Sequence, residues 1–164
     1  VFASGDVTGA AQFVYVAAYQ GSLAAENALQ STKRAVDLTA LPRVTFTTPQ
    51  IASVGITEEE ARKTGGTIKT SILPLSAVPR DLVNQDTKGL IKLVAEEKSG
   101  RILGASVLSD SAGEVIFAAG LAIKYGLAIS DLADSFCPYL TMSEGLKLAE
   151  QSFTRDVSKL SCCA

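Results

Sequence analysis

The chain contains no histidine, so the commonest general base and the commonest metal ligand are both absent, and any chemistry falls to other groups. Cys162 and Cys163 are adjacent in the terminal Ser161-Cys162-Cys163-Ala164. Neighbouring cysteines close a disulfide only through a strained ring, so a structural bridge is not expected. As thiolates they suit a soft cation of low coordination number such as Hg(II) or Cu(I). Structural zinc needs more ligands than the chain's cysteines supply. Cys137, between Phe136 and Pro138, reads as a buried inert thiol. The plain alternative for the terminal pair is an incidental exposed end.

A second reactive stretch is Pro138-Tyr139-Leu140-Thr141-Met142-Ser143-Glu144. Thr141 and Glu144 have the spacing of a capping box, which predicts a helix start with the Tyr139 phenol just outside it. Met142, Leu146, Ala149 and Phe153 recur at helical spacing and predict one buried face, with Glu144, Lys147, Glu150 and Gln151 mostly off it. A third is Gly5-Asp6, after the apolar Val1-Phe2-Ala3. A carboxylate at a strand end can accept hydrogen bonds from sugar-like hydroxyls, and the positive end of the following helix suits an anionic or electron-rich ring. The same residues could equally form a plain turn.

These stretches need elements to hold them. Val1–Ala3 reads as the end of a buried strand, followed by a helix from about Gln12 to Leu29 with Phe13, Val16, Ala17, Ala24 and Ala28 on one side. Lys33 to Pro42 is the best linker. Strands are expected over Arg43–Thr48, Ile51–Ile56 and Thr67–Leu73, and a hairpin over Leu90–Ala95 and Ile102–Leu108. Thr57 with Glu60, Ser111 with Glu114, and Ser130 mark three further helix starts. Strands followed by helices read as α+β: an antiparallel sheet covered by helices on one face.

With 47% hydrophobic and 20% charged residues, the 164-residue chain can bury a real core. A net charge of −2 argues against a nucleic-acid partner or a basic membrane anchor. No apolar run approaches the roughly 18 residues a membrane span needs. The odd cysteine count fits the reducing cytoplasm. The chain opens at Val1 within apolar sequence, which suggests a piece of something longer.

Phe2-Ala3-Ser4-Gly5-Asp6, the Gln12-Phe13-Val14 helix start, the Tyr139–Glu144 stretch and the Cys162-Cys163 end together resemble the FAD-dependent pyridine nucleotide–disulfide oxidoreductases. The resemblance covers essentially the whole chain, as that family's C-terminal third. It implies that residues 1–40 are the last strand and helix of the FAD-binding domain, residues 44–156 a dimerisation domain forming a homodimer, and residues 157–164 a flexible cysteine tail. Relatives acting on organic disulfides carry His-Pro-Thr-x-Ser-Glu, with the histidine as acid–base and the glutamate orienting it. Here Tyr139 and Leu140 stand in place of His and Pro, while Thr141, Ser143 and Glu144 match. Tyrosine there, with a vicinal cysteine tail, resembles the branch of the family that reduces mercuric ion.

For that branch the resemblance implies that Asp6 binds the ribityl and phosphate part of FAD, with Gln12, Phe13 and Val14 at the cofactor. NADPH reduces FAD, which reduces Hg(II) to Hg(0). Cys162 and Cys163 collect the ion and pass it to a buried cysteine pair of the other subunit. Tyr139 acts at the metal site across the dimer interface, and Glu144, without a histidine, serves as helix cap. Neither G-x-G-x-x-G nor C-x-x-x-x-C occurs, so the chain is expected to be part of an enzyme, not catalytic alone and not holding FAD stably. Two alternatives stay open: another flavin disulfide reductase of the dihydrolipoamide dehydrogenase type, and a non-catalytic dimer module that binds soft metal.

Overall fold

The computed structural model describes residues 1–156, which fall into two compact units, Val1–Leu38 and a second from Thr39 onward. In the first, a one-turn 3-10 helix, Asp6–Thr8, precedes α1, Val14–Leu29. Val1–Ala3 is exposed and forms no strand, because no segment among the described residues offers it a ladder of hydrogen bonds. α1 starts later than the pattern suggested because Phe13 is extended, at φ −129° and ψ 142°. Its buried stripe is Val16, Gln20, Leu23 and Asn27, while Ala28 is exposed. Two amides displace the alanines for a polar reason. Gln20 Oε1 accepts the Gly5 N–H at 2.7 Å. Asn27 exchanges two bonds with the Arg34 backbone, at 2.9 and 2.8 Å, so both amides sit inward to clasp the flanking chain.

The second unit contains β1 (Arg43–Thr45), β2 (Gln50–Gly55), α2 (Glu58–Lys63), β3 (Ile68–Pro74), α3 (Pro79–Asn84), β4 (Leu90–Glu96), β5 (Ile102–Ser109), α4 (Ala112–Lys124), α5 (Ile129–Ala133) and α6 (Glu144–Gln151). The strands form one antiparallel sheet in the order β1-β2-β5-β4-β3. Strand alternation turns Ala52 and Val54, Ile91 and Leu93, and Ala105 and Val107 to the same core. α4 covers β2 and β5, and α6 covers β3 and β4; Val115, Ile116, Ala119, Leu146 and Ala149 complete that core. On β4, Lys92 alternates with Ile91 and Leu93 and meets Glu58 of α2 at 2.6 Å. The bonds from Lys92 and then Arg62 hold the Glu58 carboxyl below its ordinary range.

The helix starts obey local chemistry unevenly. Thr57 and Glu60 form the expected capping box, with Glu60 N–H to Thr57 Oγ1 at 3.2 Å and Thr57 N–H to Glu60 Oε2 at 2.7 Å. Ser111 does precede α4, but its side chain makes no cap bond. Ser130 is not a cap: α5 begins one residue earlier, and Asp131 Oδ2 accepts the Ala128 N–H at 2.8 Å. The sequence pattern does not mark α3, which Pro79 starts by supplying the preset φ of its first position. Among the described residues no helix is long and apolar enough to cross a membrane.

Candidate functional site

In the first unit, Gly5 adopts φ 77°, and a Cβ there would lie 3.3 Å from Ala17 Cβ, so the turn hugs α1. Asp6 then lies exposed in the one-turn helix. Gln12 and Val14 are exposed, and the half-buried Phe13 stacks on Tyr15 with ring centroids 5.1 Å apart. No side chain caps the start of α1. An accessible carboxylate thus lies in the turn before a helix start that no side chain caps.

In the second unit, Tyr139 is 56% exposed on the turn leading into α6. The turn is built differently from a capping box. α6 begins at Glu144, and its N-cap Ser143 has helical backbone and no side-chain bond. The Thr141 hydroxyl donates backwards to the Pro138 carbonyl at 2.9 Å. The Glu144 N–H goes to the Thr141 carbonyl at 3.3 Å, in the short-range pattern of a tight first turn. Glu144 does reach back, one residue further than a box requires: its Oε2 accepts the Leu140 N–H at 3.2 Å. Leu140 itself has φ 64°, a left-handed backbone rare for a non-glycine residue. Lys147 Nζ donates to the Ser135 carbonyl at 3.3 Å, tying the segment before the turn to the helix.

α6 buries more than the predicted stripe. Leu146 and Ala149 are buried, and Met142 and Phe153 pack at the core edge, but Glu150 and Gln151 are buried as well. The cause is tertiary: α5 packs on one flank while β3 and β4 pack on the other. Glu150 is 4% exposed, and its Oε2 has no hydrogen-bond partner among the described residues. Burial, then repulsion from Asp134, pushes its carboxyl up to about 7, against Lys147, Arg155 and Lys69. Asp81 in α3 is similar: buried, its Oδ2 unpartnered, and pushed up to about 6 by burial and by Asp86 and Asp110. No sequence pattern marks these two acids, since periodicity cannot say how many neighbours a helix will have.

Cys137 is a free, half-buried thiol. Burial raises its pKa, and the Glu144 charge adds to that, while a Thr141 hydrogen bond and Lys147 act the other way. Cys162 and Cys163 lie outside the described residues. Among the described residues no group of three or more histidines, cysteines, aspartates or glutamates is placed to hold a metal ion.

Residues 41–150 match the family model described as the pyridine nucleotide-disulphide oxidoreductase dimerisation domain. The whole chain is 57% identical to a mercuric reductase of Staphylococcus aureus and 56% identical to one of Bacillus cereus, spanning 30% and 26% of their lengths. The chain thus spans about a quarter to a third of the curated relatives it matches. Among solved structures, an HOCl-induced flavoprotein disulfide reductase of Escherichia coli superimposes with a TM-score of 0.84 at 36% identity, over 90% of this chain and 34% of that one.

Proposed function

The chain belongs to the pyridine nucleotide-disulphide oxidoreductase dimerisation-domain family, and from that membership we propose that it serves as the FAD-edge and dimerisation region of a mercuric reductase. The observation that carries the substrate is the match to mercuric reductases along every residue of the chain. The exposed Tyr139 supports it, because it stands where relatives acting on organic disulfides carry the histidine that moves their protons.

In this reading residues 1–40 would close the FAD-binding domain, with Asp6 at the ribityl and phosphate part, where its carboxylate would accept from the ribityl hydroxyls, and with Gln12, Phe13 and Val14 lining the cofactor. Flavin, reduced by NADPH, supplies the two electrons that take Hg(II) to Hg(0). Cys162 and Cys163 hold the incoming ion as a dithiolate and hand it on by thiolate exchange, so a tightly bound ion is never released to water. Tyr139 presents its phenol oxygen to the metal across the dimer interface.

The test uses the chain joined to the preceding domains of the Staphylococcus aureus relative. Replacing Cys162 and Cys163 with alanine is expected to leave flavin reduction by NADPH intact. Turnover of mercury presented as a low-molecular dithiol complex should fall by about tenfold or more, because a tethered pair loses its high effective concentration. Tyr139→Phe should instead slow reduction however the metal is presented. A double cysteine variant that clears thiol-complexed mercury at the unmodified rate rejects the delivery role.

The dimer rests on residues 44–156. Phe117 and Leu121 of α4 and Tyr125 at its C-terminal cap repeat every fourth residue and are exposed, and Phe136 is fully exposed. That much unpartnered apolar surface suits a self-complementary two-fold contact. Sedimentation of the 164-residue chain at micromolar concentration is expected to give twice its 17.1 kDa mass. A well-folded monomer at that concentration removes the dimer reading.

A further inference from the structure

We propose that Glu144 is a positioning residue whose carboxylate clamps the Leu140 N–H and thereby holds Tyr139 in its outward presentation; the idea rests on the reading of Tyr139 as the metal-facing group. Leu140 stands at φ 64°, where an L side chain crowds the following carbonyl, so the turn does not hold itself. The groups around it are arranged to compensate. Glu144 Oε2 accepts the Leu140 N–H at 3.2 Å, a bond assisted by the carboxylate charge. Thr141 Oγ1 donates to the Pro138 carbonyl at 2.9 Å, so the residues before and after Tyr139–Leu140 are closed on each other.

Glu144 is able to do this because it opens α6 and is anchored from behind. Gly145 and Leu146 next to it are buried, and a Cβ on Gly145 would meet Ile91 Cδ1 at 2.5 Å, so the helix start lies tight on β4. A rigid helix start therefore fixes a carboxylate, the carboxylate fixes a backbone N–H, and that N–H sets the residue beside the phenol. Proline at position 140 would defeat the device twice, having no N–H and a φ locked near −65°. The Tyr139–Leu140 pair is thus a unit: the tyrosine supplies the oxygen, and the leucine supplies the N–H that aims it.

The clamp is tested on the isotope-labelled 164-residue chain by nuclear magnetic resonance. Positive φ at Leu140 gives a strong intraresidue amide-to-Hα Overhauser effect, and the bond to the carboxylate should slow exchange of the Leu140 amide with solvent. Glu144→Gln, whose side-chain carbonyl still accepts, should keep both the slowed exchange and the Overhauser signature. Glu144→Ala should lose both, and adding Leu140→Gly should restore positive φ, since glycine occupies it freely. In the chain joined to the Staphylococcus aureus domains, Glu144→Ala should lower mercury turnover by about tenfold, because a displaced phenol misses the reacting centre. Glu144→Gln should stay within about threefold of the unmodified protein on the same argument. A Leu140 amide that exchanges equally fast with and without the Glu144 side chain, or positive φ persisting in Glu144→Ala, overturns the clamp. If Tyr139→Phe leaves turnover unchanged while the Leu140 signatures are as described, the metal-facing role is overturned instead, and the two failures are told apart.

Discussion

Gly104→Ala is expected to lower the melting temperature by about 10 °C, the counterpart of about 3 kcal/mol in a chain of this size. Gly104 lies on β5, the middle strand of the sheet, opposite Gly55 of β2. A Cβ there would overlap the Ile56 carbonyl oxygen far inside van der Waals contact, with the Ile56 carbonyl carbon at 3.0 Å and nitrogen at 3.3 Å. All three obstacles are backbone, so no side-chain rotation relieves them. The available escape is for the end of β2 to lift from β5. That breaks the Ile56 N–H bond to the Leu103 carbonyl, now 3.0 Å, and loosens the Val54 and Ile123 packing beside it. Gly66→Ala is the control: its Cβ would meet nothing nearer than Thr64 Oγ1 at 3.9 Å. That variant should stay within about 0.5 kcal/mol of the unmodified chain. Thermal and guanidinium unfolding followed by circular dichroism measures both. A Gly104→Ala variant melting within about 2 °C of the parent would mean that the sheet yields at this crossing.

Glu150→Gln is expected to remove most of a pH dependence of stability on the order of 2 to 3 kcal/mol. The folded carboxyl titrates at about 7, raised from 4.5 by burial and by Asp134. Below the unfolded value both states hold the proton and the group is neutral in stability. As pH rises from there to the folded value, the unfolded chain has released the proton while the folded chain keeps it, so stability falls. Above about 7 the folded chain carries a buried carboxylate, and the whole penalty stands. Glutamine cannot ionise. Its buried amide imposes an offset that is the same at every pH, so the informative quantity is the difference between variant and parent across pH. That difference should swing in favour of Glu150→Gln between pH values of about 4.5 and 8, and be flat outside that window. Asp81, pushed up to about 6, titrates in both proteins and cancels from the difference. Guanidinium titrations at a series of pH values make the comparison, and parallel stability profiles would show that Glu150 is solvated in the folded state.

The β4–β5 hairpin, the Thr57–Glu60 box and the α4 core face follow from local patterns, because alternation and cap chemistry act over a few residues. Together with the match to the dimerisation domain over residues 41–150, that makes the fold class and the family legible in the chain of letters. Long-range placement decided the rest. Gln20 and Asn27 turned inward because backbone groups elsewhere in their unit needed partners. Glu150 and Gln151 are buried because α6 has neighbours on two sides. The Tyr139 turn shows the division most sharply. Thr141 and Glu144 have the spacing of a capping box, yet the threonine bonds backwards to Pro138 and the glutamate reaches Leu140. Residue types and spacing determine which groups can bond; the seating of α6 on β4, which fixes where the Glu144 carboxylate stands, decides which of those bonds form.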